Sequence, residues 1–179
     1  GGDATAGMFP GPMRGAETKG RVGPYPEGDA LFGARAEQVA FALFVVVLAV
    51  SLGFMVHPWF EPVRDASIYI STARSLLAGD GYSYLGVPFT TRPPGFPLLI
   101  APVIALFGTS FSALNLYVSL LGAVAAVLFF LWMRPRLGWP PALATSLLLW
   151  FNPGFRRLSN EIMSDVPGLA AVLACLLLE

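Results

Sequence analysis

The sequence predicts an all-helical, polytopic transmembrane protein, and three observations predict it. Hydrophobic residues make up 55% of the chain and charged ones only 12%, with a mean hydropathy of +0.67, whereas soluble domains average about 45–50% apolar and about 25% charged. The apolar residues come in blocks long enough, or nearly long enough, to cross a bilayer. Between the blocks lie short polar segments with proline, glycine and a few charges. Formal net charge is zero and Lys19 is the single lysine, so no basic surface points to nucleic acid. The lone Cys175 sits in an apolar run and reads as a packed small residue, with no internal disulfide and no cysteine metal cluster.

Residues 1–34 are rich in glycine, proline and small polar types that cannot bury a core. They read as a disordered cytoplasmic tail, and 35–179 as the N-terminal part of a multi-spanning domain. The chain lacks a methionine at position 1 and stops at Glu179 inside an apolar run too short to cross. It therefore reads as a piece of a longer protein.

The first block, 39–56, is long enough to span. Arg14, Lys19, Arg21 and Arg35 precede it, which places the N-terminus in the cytoplasm and His57 outside it. The long preceding tail and the absence of a small-x-small site before His57-Pro58-Trp59 favour an anchor over a cleaved signal. Trp59 and Phe60 suit an aromatic belt. Residues 98–107 are about ten apolar residues with a proline inside, the length of a re-entrant or interfacial segment rather than a span. Residues 111–133 are long enough to span, and the basic Arg134-Pro135-Arg136 after them marks a cytoplasmic turn. Pro140-Pro141 opens a helix, since the first amides of a helix have no partner anyway, and 139–155 runs back outward. The loops 61–97 and 152–167 then share the outer face, provided 98–107 does not cross. Arg156 and Arg157 in the second loop count mildly against that orientation.

In the first outer loop, residues 65–79 carry helix signals. Asp65 suits an N-cap, Gly79 suits the position after the helix end, and Ala66, Tyr69, Ile70, Ala73, Leu76 and Leu77 recur at three- and four-residue spacing. Such a helix lies in the interface plane with Arg74 and the serines toward water.

The ordered set Asp65, Tyr69, Ala73, Leu77, Gly79, Gly81-Tyr82, then Arg92-Pro93-Pro94-Gly95-Phe96-Pro97-Leu98-Leu99, and later Ser164-Asp165-Val166-Pro167 resembles the N-terminal module of GT-C membrane glycosyltransferases. The likeness is to the broad family 39 group, which includes protein O-mannosyltransferases and the lipid A aminoarabinose transferase, and it runs from about residue 39 to the end. It implies two juxtamembrane helices in the first outer loop and a sugar on a polyprenyl phosphate as donor. It also implies an acceptor hydroxyl on a lipid, glycan or protein, inversion at the anomeric carbon, and a site on the outer face of the cytoplasmic membrane. Carried over by position, Asp65 is the catalytic acid, Arg92 the basic residue at the lipid phosphate and Asp165 the acid of the second outer loop. Tyr69, Tyr82, Arg156, Arg157 and Glu161 are candidate substrate contacts. No cofactor is required with certainty and a divalent metal stays open; Ala66 stands where many relatives have a second acid, which removes a paired carboxylate.

The residue types suit that chemistry. Transfer to a hydroxyl needs a carboxylate within reach of the acceptor proton and a cation for the charge building on the departing phosphate, which arginine meets with its planar fork. Each signal also has a plainer reading. Asp65 serves equally as a helix cap, worth about 0.5–2 kcal/mol. Arg92 serves as a snorkelling anchor, and Asp165 as an acid answering a helix dipole. Arg156, Arg157 and Glu161 serve as a solvated or headgroup-facing loop surface, and Tyr69, Tyr82 and Tyr84 as interface aromatics. His57 has no second histidine for a metal site. A transporter or channel fragment and a non-catalytic membrane subunit are the alternatives. The proposed spans 39–56 and 111–133 hold no Asp, Glu, Lys, Arg or His, where a transporter commonly places one.

Overall fold

The computed structural model describes residues 27–59 and 65–179, with side chains from 33 onward. Most of the expected tail, including Arg14, Lys19 and Arg21, and the interfacial Phe60 lie outside the described residues. Among these, seven helices and one small hairpin occur in the order α1 (Glu27–Met55), α2 (Ala66–Ala78), β1 (Ser83–Tyr84), β2 (Val87–Pro88), α3 (Gly95–Phe107), α4 (Phe111–Leu137), α5 (Trp139–Phe151), α6 (Pro153–Ser159) and α7 (Asp165–Leu178).

Two helices are long and apolar enough to cross a membrane: the stretch Gly33–Met55 of α1, and Phe111–Leu137. Val39, Leu43, Val46, Val50 and Phe54 of α1 are all more than half exposed. Apolar surface of that extent suits lipid rather than water. α3 has 13 residues, about 20 Å at 1.5 Å per residue, short of a hydrocarbon core of about 30 Å.

α1 and α4 lie antiparallel. At one end Glu37 pairs with Arg134 and Phe41 stacks on Phe130 with centroids 5.2 Å apart. At the other, Asn115 near the start of α4 donates to the carbonyls of His57 (2.9 Å) and Trp59 (3.1 Å). The turn between α4 and α5 falls later than the expected Arg134-Pro135-Arg136. The helix carries Pro135 in its last turn, where Arg134 and Arg136 answer the dipole, and ends at Gly138, whose φ of 80° stops it while its N–H bonds the Arg134 carbonyl at 2.9 Å. α5 then returns along α4 and α1. Buried Trp150 donates its indole N–H to Ser51 Oγ at 2.7 Å. Trp150→Phe is expected to cost about 1 kcal/mol, with little further loss when Ser51→Ala is added, read as a double-mutant cycle by thermal melting in detergent.

The expected outward helix 139–155 is broken. Asn152 is extended (φ −60°, ψ 125°) and its side chain accepts from the Phe155 N–H at 3.1 Å, capping α6 with Pro153 at its first position. The second loop thus holds a short helix that pattern alone did not show. α6 and α7 pack on a stripe of small and polar residues along α4: Ser119 donates to the Ser159 carbonyl at 2.8 Å, and Gly122 lies against Ser159 and Val166.

A second buried cluster joins α2, α3, the start of α4 and the second loop through Ala66, Tyr69, Phe96, Ile100, Ile162 and Met163. The two polar loops therefore meet at one end of the molecule. The hairpin, paired Ser83 to Pro88 and Tyr84 to Val87, is a small departure from an all-α reading. It sits beside α2 through a 2.6 Å hydrogen bond between Ser75 and Ser83 hydroxyls.

Candidate active site

α2 begins and ends where its sequence predicts. At its C-terminus Gly79 is left-handed (φ 83°), and the N–H groups of Gly79 and Asp80 bond the carbonyls of Leu76 (3.3 Å) and Ser75 (3.1 Å), a Schellman closure. Ala66, Tyr69, Ile70 and Ala73 are buried, whereas Leu77 is 47% exposed. At the N-terminus Asp65 occupies the cap position, but its side chain makes no capping hydrogen bond. Instead its Oδ2 lies 2.7 Å from Arg92 Nη2. The capping reading of this side chain is set aside by that geometry, and the acid and base expected of a site, drawn from opposite ends of the first loop, are in contact.

Arg92 is held from behind. The Tyr82 hydroxyl donates to the Arg92 carbonyl at 3.1 Å, and the Tyr82 ring meets Phe89 edge-on at 5.8 Å. Burial raises the Tyr82 phenol above its ordinary pKa, so it keeps its proton and remains a donor at any physiological pH. Pro94 precedes α3, whose amide at Leu98 bonds the Pro94 carbonyl at 2.9 Å. Two prolines fix φ on the way into the helix, so the direction in which Arg92 leaves the backbone is set locally.

The pair is partly open: the Asp65 side chain is 19% exposed and that of Arg92 45%. An ion pair at such a position contributes about 1 kcal/mol or less. It adds little to folding and is readily exchanged for another anion.

Tyr69 reaches the second loop, its hydroxyl 3.2 Å from Ser164 Oγ and its ring edge-on to Phe96 at 5.0 Å. Ser164 rather than Asp165 makes that contact. Asp165 stands exposed in the first turn of α7. Arg156, Arg157 and Glu161 are not drawn to the Asp65–Arg92 pair. Arg157 pairs with buried Glu161 at 2.8 Å, and both arginines line a cleft with His57 and Trp59. Among the described residues no group of three or more His, Cys, Asp and Glu side chains lies together. The contacts that pattern reading missed are Ser164 and Asn115, and Asn115 carried a signal: with Ser119 and Gly122 it forms a polar and small stripe on an apolar helix.

Residues 91–179 match the family model for dolichyl-phosphate-mannose-protein mannosyltransferase. Protoheme IX farnesyltransferase from two strains of Leptospira biflexa is 29% identical over 106 residues, which is 55% of this chain and 33% of the relative. The chain thus spans about a third of the length of the curated relatives it matches. No solved structure matches. The family match begins just before Arg92 and takes in α3 to α7, so that residues 91–179 match a glycosyltransferase family, in a chain that carries two helices able to cross a membrane.

Proposed function

We propose that this chain forms the N-terminal part of a GT-C-type glycosyltransferase that moves a sugar from a polyprenyl phosphate to an acceptor hydroxyl on the outer face of the membrane. The observation that carries this reading is the Asp65–Arg92 contact at 2.7 Å, set within a family match that covers Arg92 and the second loop. α2 and α3 are the two juxtamembrane helices, short and packed on each other rather than crossing.

In the chain without ligand, Arg92 neutralises Asp65. The donor phosphate competes for the guanidinium, because charge-assisted bonds from arginine to phosphate oxygens are strong and two-pronged, whereas the resting pair is partly solvated. Asp65 is then released. Its carboxylate takes the proton of the acceptor hydroxyl as that oxygen attacks the anomeric carbon. The bond from the anomeric carbon to the phosphate oxygen breaks, and its electron pair leaves with the polyprenyl phosphate, where Arg92 stabilises the added charge. Asp165, exposed at the start of α7, contacts acceptor or sugar in this reading, and Tyr69 and Tyr82 position the two sides of the site. The acceptor is a lipid, glycan or protein hydroxyl.

The test is transfer of labelled sugar from polyprenyl phosphate donors by the full-length protein in membranes. Arg92→Gln is expected to raise the donor KM and lower kcat/KM by about 10²-fold, since a phosphate contact and a transition-state contact are lost together. Unchanged donor kinetics in Arg92→Gln would remove the phosphate role.

A further inference from the structure

The cleft between the end of α1, the end of α5 and α6 shares no lining residue with the Asp65–Arg92 pair. Its volume is about 340 Å³. Phe54, Met55 and Phe151 give it an apolar side, and His57, Arg156 and Arg157 a polar and cationic one. That is the profile of an amphiphile: acyl chain toward the spanning helices, anionic head among the cations.

The charges sort themselves. Arg157 is answered by Glu161 at 2.8 Å, while Arg156 has no carboxylate partner among the described residues. One positive charge is therefore left over at the rim. Asn160 lies beside it, with an Oδ1 that is buried and lacks a hydrogen-bond donor. The backbone around the cleft is set by Asn115, which holds both the His57 and the Trp59 carbonyl, and by the stacking of His57 on Trp59 at 4.6 Å. The rim is thus built before any ligand arrives.

We propose that this cleft binds the phosphodiester headgroup of an anionic phospholipid, with Arg156 as the principal contact, and so seats the second loop on the membrane surface. The excess of arginine in a loop on the outer side in the orientation proposed above then has a physical reason. The loop's cation is neutralised by lipid, because a juxtamembrane basic residue is drawn to an anionic headgroup surface.

The experiment is modification of the full-length protein in detergent micelles by an arginine-specific dicarbonyl, with the labelled peptides quantified by mass spectrometry, in the presence of phosphatidylglycerol or phosphatidylcholine. Phosphatidylglycerol is expected to slow labelling of Arg156 at least fivefold and to leave exposed Arg74 unchanged. In native mass spectrometry, Arg156→Gln is expected to lose at least tenfold in retained phosphatidylglycerol, with Arg156→Lys intermediate. The labelling needs no variant, so a misfolded Arg156→Gln does not blunt it. Equal protection by phosphatidylcholine overturns the proposal. So does equal protection by inorganic phosphate at the same concentration, which makes the ligand a free anion. Protection by polyprenyl phosphate at a tenfold lower concentration than phosphatidylglycerol also overturns it and assigns the cleft to the donor.

Discussion

Asp65→Asn in the full-length protein is expected to lower kcat for sugar transfer by about 10²–10⁴-fold, the usual worth of a general base, with normal membrane insertion and a donor KM unchanged or lower. The two parts of that expectation come from the same contact. Asparagine keeps the size of the side chain but cannot take the acceptor proton. It also no longer competes for Arg92, now 2.7 Å away, so the guanidinium is more available to phosphate. A cap residue predicts something else: turnover intact in Asp65→Asn, since asparagine caps as well as aspartate, and a stability loss of about 0.5–2 kcal/mol only in Asp65→Ala. The Asp65 side chain makes no capping hydrogen bond, so melting of Asp65→Ala is expected to fall short of that loss, and turnover of Asp65→Asn decides between the roles. Asp65→Glu is informative beside it, because the carboxylate is retained but displaced by a methylene, and misplacement by about 1 Å can cost about 10²-fold. Full transfer by Asp65→Asn at matched expression would remove the catalytic assignment.

The contact behind that prediction was only half legible. Local signals are encoded locally, so α2 could be read from Asp65, Gly79 and the spacing of Ala66, Tyr69, Ile70 and Ala73, and the structure uses each of those except the Asp65 side chain as a cap. What frees that side chain is Arg92, whose nearness depends on α3 packing back on α2 through Phe96 and Ile100. Periodicity carries no information about such a return. It does say that 98–107 is too short to cross, and from that the meeting of the two loops follows. Tyr69 bonded to Ser164, with Ile162 and Met163 in the same cluster, is how the structure realises it. The break at Asn152 was hidden for another reason. Asn-Pro after an apolar run reads equally as the end of one helix or the start of the next, and here it is both.

Resemblance and geometry also divide the candidates differently. By position, Asp165 is the acid of the second loop, yet the contact to α2 is made by its neighbour Ser164. Arg156 and Arg157 were grouped with the substrate contacts because they share that loop, but α6 turns them toward His57 and Trp59. Membership of one loop does not place residues in one site when a helix of two turns intervenes.

Gly122→Leu is expected to have the largest structural effect of any single replacement here, and Gly122→Ala a graded version of it. A Cβ at position 122 would stand 2.7 Å from Ser159 Oγ, 3.2 Å from Ser159 Cβ and 3.4 Å from Val166 Cγ1. The first distance is shorter than real contacts allow, and Ser159 is fully buried, so it has nowhere to retreat. Helix pairs in membranes gain their stability from close packing at small residues rather than from hydrophobic burial. Overpacking costs about 1–3 kcal/mol, and leucine, with three more carbons, forces α6 and α7 off α4. The function should follow the packing, because the same helices carry Ser164 to Tyr69. The severe clash with alanine, under 3.0 Å, is with one atom, and that atom is dispensable: Ser159 Oγ donates to the Phe155 carbonyl of its own helix, at 2.8 Å. Ser159→Ala should therefore rescue Gly122→Ala, leaving the double variant more stable than Gly122→Ala alone. Melting of the four proteins in detergent measures that coupling, and strictly additive losses would show that the contact between α4 and the second loop is looser than described.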